Sequence, residues 1–163
     1  MKSAAFLIKL NRDGKLGLVE PSEDIAKSYL KKSESYLASA KILLDNGRLE
    51  ESVSMAYYSM YHALTALLFR NGIKCENHSA SIILMKELFG LDNSKILFAK
   101  KERVDKQYYV DFRLTKGEVR DMIALAEEFA PALVDLISKL DSGKIRECRE
   151  KMEGLLRGSH AGR

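Results

Sequence analysis

Tryptophan is missing from this 163-residue chain, proline and cysteine occur twice each, and histidine occurs three times. Each shortage closes off a class of protein. Cys75 and Cys148 stand far apart with no CxxC spacing, so neither a disulfide framework nor a zinc knuckle is indicated, and both are expected as reduced thiols. His62, His78 and His160 form no HExxH pattern and no acidic calcium loop accompanies them, so no dedicated metal site and no cofactor is expected. No apolar run approaches the roughly 18 residues needed to span a bilayer, and no early apolar stretch reads as a signal peptide. The expectation is a cytoplasmic chain with no membrane partner.

What is present is 46% hydrophobic residues, enough at this length for one real core, and a net charge of +4 that mildly favours anionic partners. The N-terminal stretch has two apolar runs, residues 5–10 (AFLIKL) and 15–19 (KLGLV), around Asp13 and Gly14. It reads as a short β-hairpin or extended arm over residues 1–21. Ser22, with Glu23 and Asp24 behind it, is a helix-start signal, because the hydroxyl accepts an orphan amide and acids suit the positive end of the dipole. A helix follows to Asn46 and Gly47, with Ala26, Tyr29, Leu30, Ser33, Tyr36, Leu37 and Ala40 at helical spacing.

The next helix, about residues 49–70, is apolar nearly all round. Val53, Ala56, Tyr57, Met60, Leu64, Leu67 and Leu68 make one stripe, and Tyr58, Tyr61, His62 and Phe69 carry it around the side. Such a helix must be covered on most sides, and a second copy of the chain is the simplest cover. His78 and Ser79 open a short helix that ends at Gly90, and a charge-dense one is expected over about 92–112. Thr115 with Glu118 matches a capping box ahead of a long helix whose Pro131 should kink it or break it near Phe129. A weaker amphipathic helix follows Ser142. The fold expected is therefore all-α: an antiparallel bundle of five to six helices at 22–140, preceded by the arm and followed by a C-terminal helix and tail at 141–163.

Three stretches carry a family resemblance: EPSEDIAKSYLKK at 20–32, AYYSMYHALTALL at 56–68, and His78-Ser79 followed by RVDKQYY at 103–109. Together they resemble the HEPN family, in particular its small stand-alone UPF0332-like prokaryotic and archaeal members. The resemblance implies a helical bundle that pairs as a homodimer, binds nucleotide or RNA, and often acts with a minimal nucleotidyltransferase as a toxin and antitoxin pair. In family members that cleave RNA, an arginine is followed after four to six residues by a histidine. Here Arg103 is followed by Tyr108 and Tyr109 instead, and Arg70 lies too far ahead of His78, so the ribonuclease motif is not intact.

The residue chemistry agrees with binding rather than cleavage. A metal-free ribonuclease needs a base that titrates near neutrality, whereas tyrosine with an unperturbed pKa of about 10 is a poor one. Arg103 with Tyr108 and Tyr109 still suits holding a phosphate and stacking on a base. Tyr58 and His62, four residues apart, share a helix face, and His78 sits at a helix start; all three are further candidates. Each also has a plain structural reading, as a core residue satisfied by one hydrogen bond or, for Arg103 among Lys100, Lys101, Lys106, Arg113 and Lys116, as part of a solvated face. Two other functions fit the same residues: a ribonuclease using Arg103 with His62 or His78, and a protein-interaction module without nucleotide binding.

Overall fold

The computed structural model describes residues 2–108 and 113–158, with the side chains of all of these except 105–108. Among the described residues, seven helices and two short strands follow one another as α1 (Lys2–Arg12), β1 (Leu16–Leu18), α2 (Glu23–Asp45), α3 (Leu49–Arg70), β2 (Ile73–Cys75), α4 (His78–Phe89), α5 (Ser94–Tyr108), α6 (Lys116–Ser138) and α7 (Ser142–Leu156). The all-helical expectation holds, and the helix ends written in the sequence are where the caps are. Ser22 accepts from the Ile25 amide, and Thr115 and Glu118 close the capping box in both directions.

The small extended element is also there, but its strands are not the two expected. Residues 5–10 belong to α1, which turns Leu7 and Leu10 inward and packs on α7 and α4. Only the second run is a strand, and β1 pairs antiparallel with β2, Leu16 opposite Cys75 and Leu18 opposite Ile73. A six-residue apolar run fits either state, and the surface offered by the distant α7 decides for the helix. The cap of α4 is Asn77, whose side chain accepts from the Ala80 amide, so His78 is the first helical residue and leaves its ring free for other contacts. Pro131 does not break α6, which runs continuously from Lys116 to Ser138.

α3 is the axis of the fold. Its residues from Ser52 to Leu68 are mostly buried, and the cover comes from α2, α4, α5, α6 and β2 of the same chain. The inference that a second copy must cover α3 therefore loses its ground: five elements contribute where the sequence suggested too few. The side left partly open is the edge bearing Tyr58, His62 and Phe69.

α2 lies along α3 through a seam of small residues. Ala26, Ser33 and Ala40, seven residues apart, are the buried positions of α2. Ser33 donates to the Ser59 carbonyl at 2.7 Å and Ser59 returns a bond to the Ser33 carbonyl at 2.8 Å, while Ser52 donates to the Ala40 carbonyl at 2.6 Å. Buried hydroxyls are tolerated when bonded in this way, and their small volume lets two backbones come close.

The C-terminal helix is clamped to the body by Arg149, whose Nη1 donates to the carbonyls of Val19 at 2.7 Å and Gly72 at 2.9 Å. Gly72 has φ +70°, and a Cβ there would overlap both Arg149 Nη1 and the Val19 carbonyl oxygen. Gly90 has φ +64° but open space around it. Gly72→Ala is expected to lower unfolding free energy by at least about 2 kcal/mol and Gly90→Ala by about 1 kcal/mol. Urea midpoints of the two variants measure the difference, and equal losses would remove the clamp from the account.

Candidate functional site

Four elements bring their polar aromatic residues to one place at the open edge of α3. From α3 itself come Tyr57, Tyr58, Tyr61 and His62; α2 adds Tyr29 and Tyr36, α4 adds His78, and α5 adds Arg103. The helical period explains the assembly. Tyr29 and Tyr36 flank the seam positions Ala26 and Ser33 on one side of α2, so docking the seam lays both rings against Tyr58, His62 and Phe69. His62 meets the edge of Tyr36 with ring centres 4.7 Å apart, and Tyr29 stacks on Phe69 at 5.5 Å.

Arg103 crosses the cluster with its guanidinium carbon 4.8 Å from the centre of Tyr58 and 5.6 Å from that of Tyr57. A cation over an aromatic face is held electrostatically by about 0.5–2 kcal/mol, more where water is excluded. Its Nε is buried without a partner among the described residues. One turn earlier on α5, Lys100 reaches the Ser79 hydroxyl of α4. At the far end, Lys32 stands 5.3 Å over Tyr29.

His78 is the best held of the ring systems. It stacks on Tyr61 with centroids 3.8 Å apart, and its Nδ1 is 2.8 Å from the Tyr57 hydroxyl. Tyr57 is completely buried, and burial raises its pKa, so the hydroxyl stays protonated. When that hydrogen goes to Nδ1, Nε2 of the neutral ring carries the N–H; in the other tautomer Nδ1 donates to the phenol oxygen. Burial, with Arg103 and Lys100 nearby, lowers the pKa of His78. What Arg103, Lys100 and His78 present together is a set of donors suited to an anion. Among the described residues no group of three or more potential ligands could hold a metal ion.

Of the residues singled out from sequence, the structure thus joins Arg103, His78, Tyr58 and His62. The Tyr108 side chain and the whole of Tyr109 lie outside the described residues. Sequence reading placed Tyr57 on the core stripe and Tyr61 around its side; both are buried, and the bond from Tyr57 to His78 was missed. The signal was the hydroxyl itself, because a tyrosine on a core stripe must find a partner. Tyr29 and Tyr36 were read only as the buried face of a helix.

His62 is the unsettled member. Both ring nitrogens are shut off from solvent without a hydrogen-bond partner among the described residues, and burial, followed by Lys32 and His78, pushes its pKa down to about 4. The unfolded ring titrates near 6.5, so between that pH and 4 the unfolded chain binds a proton that the folded chain refuses. Stability is full above pH 6.5 and falls as the pH drops towards 4. His62→Phe should flatten much of this slope, leaving the part due to His78; a slope unchanged in urea titrations across this range would rule out the buried neutral ring.

The chain is 39% identical over 107 residues to UPF0332 protein PH1297 of Pyrococcus horikoshii, covering 62% of this chain and 69% of the relative. To a UPF0332 protein of Thermotoga maritima it is 28% identical over 127 residues, 72% of this chain and 95% of the other. It is 30% identical over 114 residues to the Methanocaldococcus jannaschii protein named "Putative toxin MJ0605", with 66% of this chain and 81% of that one aligned. The profile of the HEPN domain matches residues 26–154, from the first turn of α2 to the end of α7, and the chain belongs to the HEPN family.

Proposed function

We propose that this chain is a toxin-type HEPN component that binds RNA or a nucleotide at the Arg103 cluster. The observation that carries the reading is the placement of Arg103 over Tyr57 and Tyr58 beside His78, whose Nδ1 is paired with the Tyr57 hydroxyl. A phosphate would take the guanidinium, the Lys100 ammonium and the His78 N–H, and a base would find ring faces at the half-buried Tyr58 and Tyr29. The toxin name of one relative supports the toxin part of the reading; a minimal nucleotidyltransferase as the partner protein is what the family resemblance implies. Two copies meeting along the aromatic edge of α2 and α3 would set two Arg103 groups around one groove; this edge is what the described residues leave partly open on α3.

One observation favours ribonuclease action as the second reading. Arg103 and His78 touch the same two tyrosines, so a cation and an imidazole stand together although they are not an Arg and His of one sequence motif.

Filter binding with end-labelled single-stranded RNA in the presence of chelator separates the readings. Intact RNA retained by the protein, with affinity reduced about tenfold in Arg103→Ala, is the expected result. Cleavage in chelator that disappears in both Arg103→Ala and His78→Ala would replace the binder with a nuclease, and no retention by the unaltered chain would sink both. Light scattering at micromolar concentration should give twice the chain mass; a monomer would remove the two-copy groove and leave the single-chain cluster.

A further inference from the structure

The seam that sends Tyr29 and Tyr36 to one flank of α2 sends Leu30, Glu34 and Leu37 to the other, where α6 runs alongside. Between α2 and α6 lies a cavity of about 540 Å³ whose apolar lining is Leu30, Leu37, Ala130, Pro131 and Val134, with Val134 44% exposed. It continues through Leu30, Val134 and Ser138 into a second hollow of about 230 Å³ that reaches Leu140. The furrow so formed follows α2 from Glu23 to Leu37, a path of about 20 Å at 1.5 Å per residue. That is the length of a helix of about 13 residues.

Its chemistry is the reverse of the Arg103 cluster. In a chain of net charge +4, the larger hollow is lined by Glu34, Glu127 and Asp135 with no cation among its lining residues, while the smaller one carries Lys27, paired with Glu23, and Arg70 at its far end. Glu127 meets Lys41 at 2.6 Å and Asp135 meets Lys139 at 2.8 Å, both pairs well open to water, while Glu34 has no ion-pair partner among the described residues. Exposed pairs of this kind are worth about 0–1 kcal/mol, so they give way readily to a new cation. Pro131 adds an acceptor. Having no N–H, it leaves the Glu127 carbonyl without its helical donor, and both residues line the furrow.

We propose that this furrow docks an amphipathic helix of a partner protein, one that inserts an apolar stripe between α2 and α6 and lays Lys or Arg along the carboxylates. A nucleic acid does not fit, because its phosphates would face three carboxylates. A second copy of this chain packed face to face across a twofold axis does not fit either, since the acidic residues would meet their own like. The proposal does not rest on the function assigned to the Arg103 cluster, which occupies the other flank of the seam.

The test uses the full chain and two fluorescein-labelled 14-residue peptides with leucine at i, i+3, i+7 and i+10, one with lysine at the remaining outward positions and one with glutamate. Anisotropy in moderate salt should show the lysine peptide binding at least tenfold more tightly than the glutamate peptide. Val134→Arg, an exposed change that leaves RNA retention alone, should abolish that binding, and Glu34→Gln with Asp135→Asn should weaken it about tenfold. Circular dichroism on each variant separates lost docking from lost folding. Equal affinity for the two peptides, or binding indifferent to Val134→Arg in a folded variant, would overturn the proposal. So would self-association of the unaltered chain that Val134→Arg disperses, because a second copy would then be the occupant.

Discussion

Everything at the surface of this protein that carries chemistry follows from how closely α2 lies on α3. Two serines answer each other's carbonyls across the seam, a third serine caps the Ala40 carbonyl, and Ala26 and Ala40 leave no bulk between the backbones. A leucine at position 33 would bring an extra side chain into a filled space, and overpacking of that kind costs about 1–3 kcal/mol. With small residues occupying the contact line, the large ones at Tyr29, Leu30, Tyr36 and Leu37 are displaced to its two sides. One side becomes an aromatic strip under Arg103 and Lys32, and the other a furrow edged with carboxylates. Positive and negative faces thus arise from one helix with a single period.

The aromatic side is held in a state of low charge despite its cations. Two imidazoles lie within the reach of Arg103, Lys100 and Lys32, and each is pushed towards its neutral form by burial first and by these charges second. An anion placed there would reverse the second effect. It would neutralise the field of Arg103 and Lys100 and draw the His78 pKa back up, so binding and proton uptake are linked. The orphaned Nε of Arg103 and the two orphaned nitrogens of His62 belong to the same unfinished electrostatics. Each costs about 1–3 kcal/mol while unmet, which the rest of the core must offset.

How much of this could be read from the sequence depends on how local each signal was. Ser22, and Thr115 with Glu118, act within one turn, and the helices begin where these residues say. The run at 5–10 is short enough to be strand or helix, and what settles it is α7, more than 130 residues away. The apolar girth of α3 was plain, but its cover comes from five elements of the same chain, each contributing part of a face, and a partner seemed the simpler answer. Arg103, His78, Tyr58 and His62 could each be named from residue type and spacing. Their convergence could not, because it needs α2, α4 and α5 to be placed around α3. The furrow had no sequence signal at all beyond Pro131, since it is made by what two helices fail to fill.

The bond between Tyr57 and His78 bears on which chemistry the cluster can perform. For His78 to take a proton from a ribose hydroxyl, Nε2 must carry the lone pair, and Nδ1 must then hold the hydrogen and donate it to the Tyr57 oxygen. The phenolic hydrogen would have to find another acceptor inside a site where Tyr57 is wholly buried, and among the described residues its only hydrogen-bond partner is His78. Deprotonating the phenol instead is resisted by its raised pKa. An unmet buried hydroxyl costs about 1–3 kcal/mol, a bias of roughly five- to 150-fold against the basic tautomer. A penalty of that size does not forbid catalysis, since a ligand oxygen entering the cluster could supply the missing acceptor. It does make the resting site a donor array, fitted to hold an anion before it does anything else to it.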